Sequence, residues 1–136
     1  MREGDRLAKA FFQLPPSQGE TGWVSNDKTM DKNISFTLKV WRQAGPKAKG
    51  AFETYQMKDI PGDTSFLEML DILNEQLVEQ GKEPIVFDHD CREGICGMCS
   101  LYINGHPHGP ATGATTCQIY MRRVNDDDVI TVEPWR

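Results

Sequence analysis

Cys91-Arg92-Glu93-Gly94-Ile95-Cys96-Gly97-Met98-Cys99 holds three of the chain's four cysteines within nine residues. The fourth, Cys117, follows after seventeen more residues, so the full pattern is C-x4-C-x2-C-x17-C. Three thiols crowded on one loop make sense when the loop has to wrap around something. Gly94 and Gly97 are placed to let the backbone come close and to adopt dihedrals that other residues avoid. Neighbouring N–H groups can then turn toward sulfur. Several thiolates together bring much negative charge, and Arg92 stands where it can offset part of it.

The spacing separates the chemistries open to such a loop. Plant-type 2Fe–2S sites use C-x4-C-x2-C with a distant fourth cysteine. Structural zinc also takes four ligands, but usually from two short C-x2–4-C pairs, and here only one pair is short. A redox C-x-x-C would employ Cys96 and Cys99 and leave Cys91 and Cys117 idle. A disulfide framework is expected in small exported chains, and Met1 to Phe12 has no apolar stretch of signal length. Spacing therefore ranks a 2Fe–2S cluster first, with zinc, disulfides and free thiols behind it. A Rieske arrangement would need two histidine ligands. With four cysteines present, His89, His106 and His108 read as loop residues.

Upstream of the loop, Ile34, Phe36, Leu38 and Val40 alternate with Ser35, Thr37 and Lys39, which predicts a half-buried strand. Gly45-Pro46 marks a turn, and Phe52 to Met57 resumes as a second strand of a hairpin. Ile60-Pro61-Gly62-Asp63 is expected to break it. Ser65-Phe66-Leu67-Glu68 has the form of a capping box. Phe66, Met69, Leu70, Leu73 and Leu77 follow at helical spacing, with Gly81 as the stop, so a helix is expected over about 65–80. Its other face carries Glu68, Asp71, Glu75 and Glu79, read as a solvated acidic face with a docking surface as the sharper alternative. Ile85-Val86-Phe87 is a short apolar run leading to the first cysteine.

Downstream, Leu101-Tyr102-Ile103 and Asn104-Gly105 read as a short strand and a tight turn. Residues 109–116 form a small-residue loop, 117–124 is ambiguous between helix and strand, and Val129 to Val132 is a last strand. A hairpin, a helix and a late strand returning beside the first indicate an α+β fold: a β-grasp, 2Fe–2S ferredoxin-like mixed sheet with one main helix packed across it.

The rest of the chain sets limits. With 136 residues there is room for one domain. Fifteen basic against twenty acidic residues give a net charge of −5, which argues against a charge-driven nucleic-acid binder. No apolar run approaches the ~20 residues of a membrane helix, so no direct membrane insertion is expected. Residues 1–29, with Pro15, Pro16, Ser17, Gly19 and Gly22, differ in composition and read as an N-terminal extension. Met30 is expected to be the natural start, and 30–136 the 2Fe–2S ferredoxin-type domain. No acid–base pair, phosphate-binding glycine loop or nucleophile–base arrangement emerges, so no catalytic residue is assigned.

The C-R-E-G-x-C-G-x-C run, Asp71-Ile72-Leu73-Asn74, Asp88-His89-Asp90 and the closing Ile130-Thr131-Val132-Glu133-Pro134 together carry a resemblance to a known family. From about Phe36 to Arg136 the chain resembles the N-terminal ferredoxin domain of the iron–sulfur subunit of succinate dehydrogenase and fumarate reductase. The resemblance implies that Cys91, Cys96, Cys99 and Cys117 are the four cluster ligands. It implies electron transfer between FAD in a flavoprotein subunit and further iron–sulfur clusters leading to quinone. The chain would then be the electron-transfer part of an oxidoreductase complex, cytoplasmic and at the inner face of the cell membrane. A membrane anchor subunit would be reached through the family's C-terminal 4Fe–4S/3Fe–4S domain, whose C-x2-C-x2-C-x3-C-P run does not follow here. The seventeen-residue gap before Cys117 is longer than in the best-known members. Around His106-Pro107-His108-Gly109-Pro110 it resembles the branch found beside diheme membrane anchors. The alternative function is a free-standing 2Fe–2S ferredoxin, and outside redox chemistry a zinc interaction module.

Overall fold

A computed structural model describes residues 32–109, 111 and 113–135. The expected extension over 1–29 and the start at Met30 lie outside the described residues. Five strands form one sheet: β1 (Asn33–Arg42), β2 (Ala51–Pro61), β3 (Leu101–Ile103), β4 (His106–Pro107) and β5 (Val129–Pro134), in the order β2-β1-β5-β3-β4. β1 lies antiparallel to β2 and parallel to β5, and β5 and β4 both run antiparallel to β3. The sheet is therefore mixed, and with helix α1 (Phe66–Glu79) it forms the α+β, β-grasp arrangement that the element order predicts.

The alternation in β1 is realised: Ile34, Phe36, Leu38 and Val40 are all buried. They share one core with Phe66, Leu67, Met69, Leu70, Leu73 and Leu77 of α1 and with Ile130 and Val132 of β5. Burial of these side chains is the main source of stability, at about 1.5–3 kcal/mol for each large one. The start of α1 is the capping box read from Ser65 and Glu68. The Glu68 N–H donates to Ser65 Oγ at 3.2 Å, and the Ser65 N–H donates to Glu68 Oε2 at 3.1 Å. At the other end Gly81 takes φ +67°, and the Lys82 N–H donates to the Leu77 carbonyl at 2.8 Å, closing the helix as a Schellman turn.

Three expectations change. β2 does not stop before Ile60 but runs to Pro61, which pairs with Asn33. A register shift between Ile34 and Phe36, with Asp59 at φ +53°, absorbs the irregularity. Pro61 is tolerated because β2 is an edge strand, where a missing N–H leaves no partner wanting. The ambiguous segment 117–124 becomes two 3-10 turns, Thr116–Gln118 and Met121–Arg123. His106 and Pro107, read as loop, form β4 across a turn at Asn104-Gly105, whose φ values of +51° and +76° fit the Asn-Gly preference.

Two ties carry the fold to the cysteines. The segment with Cys117 is laid along the start of α1. The Phe66 N–H donates to the Ile119 carbonyl at 2.7 Å, the Met121 N–H to that of Thr64 at 2.8 Å and the Arg122 N–H to that of Gly62 at 2.8 Å. On the helix flank, Asn74 grips the Ile85 backbone twice, at 2.8 and 2.7 Å. That grip, and not a strand, brings residues 85–87 toward the cysteine loop.

Candidate metal centre

Residues 91–99 contain no helix or strand, and three residues in the loop take left-handed dihedrals: Arg92 at φ +56°, Gly94 at +75° and Gly97 at +69°. Two of them are glycine, for which this costs little. Arg92 is not, and its conformation is held from outside the loop. Its guanidinium forms a bidentate salt bridge to Asp71 on α1, at 2.6 and 3.3 Å. Sequence reading placed Asp71 on a solvated acidic face; that residue is instead half-buried and tied to the loop.

The folded-back loop turns backbone donors inward. N–H groups of Glu93, Ile95 and Cys96 point at Cys91 Sγ from 3.3, 3.4 and 3.4 Å. The Met98 N–H lies 3.5 Å from Cys96 Sγ. These donors bring the Cys91 thiol down to about 7, the Glu93 N–H first and the Cys96 and Ile95 groups next, against burial. The Cys96 side chain adds to this, so these two cysteines are neighbours.

Cys99 and Cys117 form a second pair. Burial pushes the Cys99 thiol up, while N–H groups of Cys117 and Thr116 act against it. Burial also pushes Cys117 up, but the Thr115 hydroxyl, the Gln118 amide and the Gly94 N–H outweigh it and the thiol is lowered. Thr115 Oγ1 lies 3.2 Å from Cys117 Sγ, and Gln118 Nε2 lies 3.7 Å from it. Thr115 and Gln118 escaped the sequence reading. Their positions two before and one after Cys117 were the available signal.

All four cysteines are free thiols, so no disulfide forms among them. Among the described residues no three His, Cys, Asp or Glu side chains converge where one ion would sit. Side-chain hydrogen bonds link Cys91 with Cys96 and Cys99 with Cys117, two neighbouring pairs of the kind a two-metal group takes. Donors aimed at sulfur are useful where sulfur carries charge, as in thiolates bound to iron. On both counts the residues present fit a 2Fe–2S cluster. Two of the three histidines are engaged elsewhere: His108 Nδ1 is 3.0 Å from Thr116 Oγ1 and its ring stacks on Trp135, while the His89 ring leans on Phe87.

A model of the 2Fe-2S iron-sulfur cluster binding domain family matches residues 37–136. The chain belongs to that family. It is 31% identical over 102 residues to the fumarate reductase iron-sulfur subunit of Wolinella succinogenes, covering 73% of this chain and 37% of that relative. Among solved structures it is similar to a chain of the Mycobacterium smegmatis Sdh1 complex in the apo form. The TM-score there is 0.58 at 25% identity, over 74% of this chain and 37% of that one. The chain thus spans little more than a third of either relative's length. The resemblance read from the C-R-E-G-x-C-G-x-C run and its flanks therefore holds, and 2Fe–2S is the cofactor of the family.

Among the described residues no helix is long and apolar enough to cross a membrane.

Proposed function

We propose that this chain is the 2Fe–2S electron-transfer domain of a succinate dehydrogenase or fumarate reductase type complex. In this reading Cys91, Cys96, Cys99 and Cys117 would hold the cluster. When bound, the cluster supplies a one-electron store; the chain supplies thiolates, donors that favour added charge, and a surface for a partner. The observation that carries this reading is the fan of three N–H groups on Cys91 Sγ within a domain that matches the 2Fe–2S family.

Electron exchange needs a partner close to the cluster. Cys96 is exposed, and Ile95 and Met98 beside it are 78% and 52% exposed, so the loop offers an apolar contact next to the ligands. The partner proposed for that contact is a flavoprotein subunit carrying FAD. Further iron–sulfur clusters and a membrane anchor at the inner face of the cell membrane would lie beyond this domain. The test is purification without air. About two irons and two sulfides per chain, with a brown colour, are expected. A colourless protein containing zinc would overturn the reading. Electron transfer from a reduced flavoprotein subunit that is equally fast to the chain and to its Ile95→Glu variant would remove the partner assignment.

A further inference from the structure

We propose that Gln118 is a positioning residue for the cluster, a side chain that clamps the fourth cysteine to the loop bearing the other three and tunes the site through one amide. The proposal rests on the 2Fe–2S reading of the four cysteines. It assigns a role to a residue that is no ligand and belongs to no motif.

The geometry is a fork. Gln118 Nε2 is 3.3 Å from the Arg92 carbonyl oxygen and 3.7 Å from Cys117 Sγ. Both are acceptors, and an amide nitrogen carries two hydrogens, so one group serves both. A carbonyl cannot donate, so the nitrogen and not the oxygen of the Gln118 amide faces Arg92. Cys117 and Arg92 are far apart in sequence, and this amide joins them. It does so at the residue whose backbone takes φ +56° directly after the first cysteine.

Gly94 provides the space. A Cβ at position 94 would lie 3.0 Å from Gln118 Cγ and 3.6 Å from Cδ. It would also lie 3.6 Å from Thr115 Oγ1. The two side chains flanking Cys117 thus lie against the bare face of Gly94, and the Gly94 N–H points at Cys117 Sγ. Glycine at 94 answers two demands, the dihedral and the room for this clamp. Gln118 reaches its place because the Thr116–Gln118 turn is itself fixed, with the Gln118 N–H donating to the Thr115 carbonyl at 2.9 Å.

Two effects follow from one amide. Donation to Arg92 holds the loop against the Cys117 segment, which favours assembly. Donation to Cys117 Sγ stabilises the charge that reduction adds, which raises the reduction potential. Thr115 Oγ1 contributes a second donor to the same sulfur.

The experiment compares the whole chain with Gln118→Leu, which keeps bulk and loses both donors, and Gln118→Glu, which keeps shape and places a carboxylate at the sulfur. Iron and sulfide content, the visible spectrum and the potential of the one-electron couple are measured at one pH and salt. Thermal unfolding is followed on the cluster-free chains. A wild-type chain that takes up no iron and sulfide refutes the 2Fe–2S reading itself, separately from the clamp. If the wild type loads, both variants should shift the couple toward the oxidised form, Gln118→Leu by about threefold and Gln118→Glu by about tenfold, where tenfold is ~59 mV. Failure of a variant to load while its cluster-free chain unfolds at the wild-type temperature also supports the clamp. If Gln118→Leu is misfolded, the isosteric Gln118→Glu decides. Normal loading with an unchanged potential in the folded variants overturns the proposal, as does unfolding of both cluster-free chains, which would make Gln118 a residue of the fold alone.

Discussion

The two ends of the cysteine site are built differently. Cys91 and Cys96 lie on the loop, partly or fully exposed, and their sulfurs receive donors from the backbone: Glu93, Ile95, Cys96 and Met98. Cys99 and Cys117 are both buried, and the donors at Cys117 include two side chains, Thr115 and Gln118. Backbone donors depend on dihedrals, which is why left-handed residues gather in 92–97. Side-chain donors depend on a rigid platform, which the ties between 119–122 and the start of α1 provide. One end is shaped for access and the other for retention.

The largest test of that contrast removes one proposed ligand from each end. Cys117→Ala is expected to abolish the cluster, because a buried end has no solvent to fill the gap. Cys96→Ser, at the exposed end, should retain a fraction of the iron and sulfide, since a hydroxyl or water can reach a metal there. Iron and sulfide assays on both variants check this, and equal retention would mean that burial does not distinguish the ends. Next in size, Ile95→Glu and Met98→Glu should weaken association with the proposed flavoprotein partner at least tenfold, about 1.4 kcal/mol. A matched change at Val129, which is also exposed but lies on β5, should leave it unaltered. Binding measured by titration calorimetry would show whether the exposed end is the contact.

The glycines sharpen the comparison within the loop. Gly94 and Gly97 share nearly the same dihedral, φ +75° and +69°, but a Cβ on Gly97 meets nothing within 4 Å while one on Gly94 meets Gln118 at 3.0 Å. Gly97→Ala should therefore cost only the left-handed conformation, about 1 kcal/mol. Gly94→Ala should cost that plus displacement of Gln118, about 2 kcal/mol in all. Urea unfolding of the cluster-free chains separates them, and equal losses would show that Gln118 yields freely.

The same division between local and distant causes explains what the sequence could reveal. The β1 alternation, the Ser65–Glu68 box, the Asn104-Gly105 turn and the C-x4-C-x2-C spacing are written within a few residues of themselves, and each appears as read. The continuation of β2 to Pro61 depends on its being an edge strand, which only the sheet order shows. The 3-10 turns around Cys117 depend on the helix they lie against. Asp71 stood out only through the Asp71-Ile72-Leu73-Asn74 stretch of the resemblance, and nothing near it named its partner, which lies twenty-one residues away on another element. Gln118 offered only its place beside Cys117, because its other contact, the Arg92 carbonyl, lies twenty-six residues earlier.

The smallest expected effect concerns that Asp71–Arg92 pair. From sequence, Arg92 directly follows a proposed ligand with its side chain free to face the cluster, solvent, Glu93, Asp90 or a partner, and its removal is expected to lower the reduction potential by favouring the less negative oxidised form. In the fold the cation is matched: Asp71 is its first influence, with Glu68 and then the Cys117 sulfur weaker ones. The pair adds no net charge near the cluster, so each partner's removal should expose the other. Arg92→Gln leaves a carboxylate and should lower the potential; Asp71→Asn leaves a guanidinium and should raise it; the double variant should return close to wild type. The side chains are 36% and 41% exposed, so water screens both charges and shifts on the order of tens of millivolts are expected. Raising the salt should shrink both single-variant shifts, because exposed charges feel a Debye length of about 8–10 Å. Potentials of the four proteins at two ionic strengths check this. If both single variants fall below wild type, the pair acts by holding the loop and its backbone donors in place; opposite shifts that salt diminishes would make it an electrostatic trim on the exposed end.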